Sequence, residues 1–221
     1  MNSVKIKSPR AARKTRKAYH HGDLRQQLMA VTEEIILEKG VDGFTLREAA
    51  RRAGVSPAAP AHHFEDARGL LTAVALLGFQ EFGEALRKAD AAGGSDPERR
   101  LRAQGQAYVR FALEHPARFQ LMFRKERLDA ASAELAAVAK QSYNVLEGAI
   151  RAATGTPSAA ELSPDGQGYL LANWSVVHGF AHLALGRQLR DPQGQPIPID
   201  TLLHTLLPAV LQQLAGEKKP R

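Results

Sequence analysis

Residues 45–64, TLREAARRAGVSPAAPAHHF, carry the local signals that most restrict what this chain can become. Thr45 is a good N-cap, and Glu48 at the third helical position would complete a capping box. Leu46, Ala49, Ala50 and Ala53 recur at helical spacing, and the alanines are small enough for another helix to approach closely. Gly54 can take the left-handed conformation that ends a helix. Ser56 then caps a second helix, with Pro57 at its first position, where a missing N–H costs nothing. Two short helices with a turn at Ala53-Gly54-Val55 make a helix-turn-helix, or an ordinary helical hairpin in an all-α core. In the first case the start of the second helix enters the major groove of DNA while the first crosses the backbone. The groove-facing set is then Ser56, Pro57, Ala58, Ala59, Ala61 and His62. It is almost uncharged, with Ser56 and His62 as its hydrogen-bonding side chains and small groups able to meet thymine methyls.

Charge favours the DNA reading. Residues 1–17 hold Lys5, Lys7, Arg10, Arg13, Lys14, Arg16 and Lys17 and no acid. Such an arm is disordered alone and attracted to phosphate. Residues 1–68 contain 13 Lys and Arg against 8 Asp and Glu, so +5 of the chain's net +7 lies beside the candidate reader. The arm lacks the apolar stretch of a secretory signal, no uninterrupted apolar run is long enough to span a membrane, and there is no cysteine. A cytoplasmic protein without disulfides, and without contact to a membrane, is expected.

Helix signals continue along the chain. Leu24, Leu28, Val31 and Ile35 predict a helix from Gly22 to Lys39, stopped by Gly40. Asp66 caps a long helix to Ala92, and Asp96-Pro97 opens the next, which His115-Pro116 divides from a short one over residues 116–123. Further helices are expected over Asp129–Ala153, from Ser163-Pro164 to Leu189, and over Asp200–Leu214, where Pro208 should kink the last or end it early. With no alternating strand pattern, the fold class is all-α, with about nine helices. The expected organisation is a basic arm over 1–17, a helix-turn-helix domain over 18–65, a larger helical domain over 66–215 and a tail over 216–221.

Tyr19-His20-His21-Gly22-Asp23-Leu24-Arg25, followed by the helix-turn-helix through Phe64, resembles the tetracycline-repressor (TetR) family. Trp174-Ser175-Val176-Val177-His178-Gly179 is similar to the WHG motif in the C-terminal domain of one TetR subgroup. The resemblance implies a homodimeric transcriptional regulator, usually a repressor, whose small-molecule inducer sits in the larger domain and releases operator DNA. It also implies dimerisation through helices 8 and 9. On the DNA side it points to Arg16, Lys17, Tyr19, Thr45, Arg47 and Arg68 beside the groove-facing set. Two positions depart from the family pattern: Ala61 stands where a tyrosine is common and Ala67 where a lysine is frequent, and both typical residues touch phosphate. Lighter phosphate contact follows.

Phe79, Phe82, Tyr108, Phe111, Phe119, Met122, Phe123, Tyr143 and Trp174 can line an apolar ligand cavity or simply fill the core. His178, one turn beyond Trp174, joins the candidate ligand set and pairs with His182 at i, i+4. That spacing suits a metal, but no HExxH pattern or third ligand accompanies it, and core or dimer-seam histidines are the simpler reading. No phosphate-binding loop, nucleophile elbow or dinucleotide motif is present, so neither catalysis nor a cofactor is expected.

Overall fold

The computed structural model describes residues 21–216; the basic arm, with Arg16, Lys17 and Tyr19, lies outside them. Nine helices and no strand are found among the described residues. They are α1 (His21–Lys39), α2 (Leu46–Arg52), α3 (Ala61–Phe64), α4 (Ala67–Ala92), α5 (Pro97–Glu114), α6 (Pro116–Met122), α7 (Ala133–Thr154), α8 (Pro164–Leu185) and α9. The last runs without a break through Ile199–Thr201, a π segment at Leu202–Leu206, and Leu207–Gly216.

Caps fix most of these boundaries. Thr45 Oγ1 accepts the Glu48 N–H at 3.3 Å, Asp66 accepts that of Gly69 at 2.8 Å, and Asp96 accepts that of Glu98 at 2.9 Å. Ser163 does the same for Gly166. At the end of α2, Gly54 adopts φ 69° and Val55 N–H returns to the Ala50 carbonyl at 3.0 Å, closing the turn that the small residues require.

Several boundaries differ from expectation. Ser56 makes no cap and Pro57 does not open α3. Residues 56–60 form successive i, i+3 turns, with Ala59 N–H on Ser56 O and Ala61 N–H on Ala58 O. Pro60 has no N–H to return to Ser56 O, so α-helical bonding begins only with the Pro60 carbonyl. Helix α7 begins at Ala133 behind a Ser132 cap, later than the expected Asp129, whose carboxylate accepts the Ala131 N–H and whose own N–H donates to Thr72. Helix α8 stops at Leu185, where Arg187 takes φ 51° and Gln188 N–H reaches back to Leu183 O. Pro208 does not end α9: the preceding π segment shifts the hydrogen-bond register, with Leu207 N–H on Leu202 O, and the helix continues to Gly216.

Helix α4 organises the molecule. Its first half carries Leu70, Leu71 and Val74 into a core shared with Leu28, Ile35, Phe44, Ala49, Ala53 and Phe64. Its second half carries Phe79, Phe82 and Leu86 into a core shared with α5, α6, α8 and α9. By length and mean hydropathy α4 would suffice to cross a membrane, yet 56% of that stretch is buried within the protein. Its apolar character is explained by these two cores.

Candidate DNA-binding face and ligand cavity

Among the twenty residues read first, the buried ones are Ala49, Ala50, Ala53, Pro60 and Phe64. Thr45, Arg47, Ser56, Pro57, Ala58, Ala61 and His62 are exposed, Ala59 is half-buried, and Arg68 is exposed at the start of α4. The cations nearby divide into two groups. Glu48 holds Arg51 and Arg52 at 2.8–2.9 Å, and Glu38 holds Arg52 from the other side. These guanidinium groups keep the Glu48 carboxyl well below the usual carboxylate range. Glu48 is therefore drawn toward Arg51 and Arg52, where the sequence suggests a reciprocal capping box. Arg47, in the first turn of α2, and Arg68, in that of α4, are exposed and form no salt bridge with described residues. Ala61 opens α3 to solvent, whereas Ala67 packs against the first core.

The junction between α3 and α4 is tightly made. Glu65 adopts φ 63°, ψ −61°, and Asp66 N–H bonds the Phe64 carbonyl at 2.7 Å across it. This is a γ-turn in a sparsely populated region for a residue with a side chain. It aims the Phe64 carbonyl at Gly69, where a Cβ would lie 2.0 Å from the oxygen. Only glycine fits there. The sequence hint was a glycine in the first turn of a long helix, where it is otherwise a poor choice.

Helices α4, α5, α7 and α8, with the end of α6, surround a partly open cavity of about 330 Å³, near the lower end of the range for small-molecule sites. Phe79, Phe82, Tyr108, Met122, Phe123, Tyr143 and Trp174 line it. Phe111 and Phe119 do not: Phe111 packs behind Phe82 at 5.2 Å between ring centroids, and Phe119, fully buried, stacks among Tyr108, Phe123, His178 and His182. His178 stands behind the wall: the Tyr108 hydroxyl lies 2.7 Å from its Nδ1, and its ring meets Phe123 at 4.7 Å and Trp174 at 6.2 Å between centroids. Leu86, Leu101, Gln104, Leu146, Asn173 and Val177 also line it and were not among the expected set. For the aliphatic ones no sequence signal separates wall from core; Gln104 could have been noticed as a polar residue on the apolar face of α5.

The Tyr108 hydroxyl and His178 Nδ1 share a hydrogen bond whose direction follows the imidazole tautomer. Burial pushes the Tyr108 phenol above its ordinary value, and it stays protonated. Burial, with the neighbouring His182, holds His178 below its usual 6.5. The unfolded chain thus binds this proton first. Stability is full above that value and is lost as pH falls through the depressed folded one. Thermal melts between pH 8 and pH 5 should show this loss, and a His178→Gln variant should flatten it; an equal slope in the variant would assign the loss elsewhere. Among the described residues no third ligand joins His178 and His182.

Sequence comparison decides the kinship. Residues 28–74 match the bacterial regulatory proteins of the tetR family, and residues 101–210 match the tetracyclin repressor-like C-terminal domain. The chain belongs to the TetR family. It is 39% identical over 80 residues to the HTH-type transcriptional regulator BetI of Yersinia pestis (strain Pestoides F) and 38% over 79 residues to that of Stenotrophomonas maltophilia (strain R551-3). Each match covers 36% of this chain and 40% of the relative's length. A Rhodococcus sp. RHA1 protein of unknown function is 32% identical, with TM-score 0.69 over 90% of this chain and all of that one. A tetR-family regulatory protein from the same organism, 20% identical, shares the TetR fold at TM-score 0.68 over 86% of this chain and 96% of its own.

Proposed function

We propose that the protein is a ligand-responsive, homodimeric transcriptional repressor of the cytoplasm, which a small and mainly apolar inducer releases from operator DNA. The observation that carries this reading is the double engagement of α4. One end holds Gly69 against the last carbonyl of the reader, and further along Phe79, Phe82 and Leu86 form cavity wall. A ligand that favours one position of α4 then biases the reader. The division follows: residues 18–65 bind DNA, and residues 66–215 bind ligand and dimerise. The Trp174–Gly179 segment is taken as the mark of the WHG subgroup. Dimerisation through α8 and α9 is supported by an uncovered stripe on α8. Leu171 and Leu183 are 57% and 42% exposed, nothing packs over Gly168 or Gly179, and Val210 of α9 is also exposed. We assign no catalytic role.

Gel retardation of the chain's own upstream region, with a salt titration, tests the DNA half of the proposal. Arg47→Ala should weaken binding to all sequences alike and reduce the salt slope by about one, as loss of a phosphate contact does. His62→Ala should instead relax preference at one operator position, costing about 1 kcal/mol there. Uniform weakening by His62→Ala would make it a phosphate contact. Absence of any specific retardation at low salt would leave the second reading, an all-α ligand-binding module whose DNA binding is weakened or lost, for which Ala61 and Ala67 speak.

A further inference from the structure

Gln104 is 3% exposed and lies in the cavity wall, yet its Oε1 has no hydrogen-bond partner among the described residues. Its orientation is chemically fixed. Nε2 donates to Asp90 Oδ1 at 2.6 Å, and a carboxylate can only accept, so the amide cannot be turned over. Arg100 grips the same Asp90 through two bonds of 2.8 and 2.9 Å, which neutralises its charge and locks the arrangement. The one neighbouring hydroxyl on this face of α5, that of Tyr108 one turn away, is committed to His178. The protein therefore places a rigid, neutral acceptor in the wall of an aromatic cavity, covered by its neighbours, and among the described residues supplies no donor for it. Toward the other end, Lys125 and Lys140 line the cavity and are exposed, and no Asp or Glu lines it. Lys140 precedes Val145, whose carbonyl is 3.4 Å from Gln104 Nε2, by about 7.5 Å along the axis of α7.

We propose that Gln104 is the specificity-determining residue of the cavity, and that the effector is an amphipathic molecule with a neutral hydrogen-bond donor at its buried end. Its apolar body lies against Phe79, Phe82 and Phe123, its donor reaches Gln104 Oε1, and any charge it bears at the lysine end is negative. This rests on reading the cavity as the effector site.

The test titrates the full-length protein with decanoate and with ω-hydroxydecanoate, following the fluorescence of Trp174, the chain's single tryptophan and part of the cavity wall. Satisfying a buried orphan acceptor predicts about tenfold tighter binding of the hydroxylated probe. In Gln104→Met the preference should vanish, the two probes binding alike. Equal affinities on the unaltered protein, a preference that survives in Gln104→Met, or no binding of either probe overturns the proposal. The two-probe comparison on the unaltered protein holds whether or not the variant folds. Failure of the effector reading is separate: both probes bind with the predicted preference, and neither alters retardation of the operator.

Discussion

Gly69→Ala should abolish most operator binding without altering any candidate DNA-contacting side chain. The added Cβ would sit 2.0 Å from the Phe64 carbonyl oxygen, far inside any real contact. That oxygen is backbone, held at 2.7 Å by the Asp66 N–H, and cannot swing aside as a side-chain tip would. Relief requires the turn at Glu65 to open, which moves α3 against α4. Overpacking of this kind costs about 2–3 kcal/mol. A regulator that must restore the native junction in order to bind loses that energy from binding, about a hundredfold. Gly148→Ala is the matched control, since nothing lies within 4 Å of a Cβ there and α7 only gains a better helix former. Wild-type retardation and melting in Gly69→Ala would show that the junction is slack.

The second large effect is on stability. Phe119→Ala removes a fully buried ring that touches Tyr108, Phe123, His178 and His182 at centroid distances of 5.2–5.7 Å. Truncating such a ring costs about 3–5 kcal/mol, which for a chain of this length lowers Tm by roughly 10–15 °C. Phe79→Ala, at the cavity wall, opens onto existing space and should cost less. An unchanged Tm with altered probe binding in Phe119→Ala would restore that residue to the ligand set where its sequence pattern first put it.

These two cases show what the sequence could and could not carry. A cap is decided by one side chain and the next three N–H groups, so Thr45, Asp66, Asp96 and Ser163 were readable at sight. Ser56 looked equivalent, but its helix needed an N–H that Pro60 lacks. Phe119 and Phe79 have the same composition and similar spacing. Which one faces a hollow depends on how α4, α5, α7 and α8 splay, and helix periodicity holds no term for that. Gln104 shows in the sequence only as a polar residue on an apolar helix face; its importance is a missing partner, which only the assembled neighbours can reveal. One conformational surprise, Glu65 at φ 63°, has no local sequence cause and is imposed by the meeting of two packed helices.

One contact bears on engineering. Arg124 and Arg127, just past the cavity residues Met122 and Phe123, both hold Asp42 in the turn between α1 and α2, at 2.8–3.0 Å. Arg118 likewise reaches Glu33 of α1 at 2.9 Å. A biosensor made by grafting this reader onto another effector domain would cut these bonds even with the splice placed cleanly at Asp66. Such a chimera should bind DNA and respond poorly to its ligand, until Asp42 and Glu33 are given arginine partners on the incoming domain.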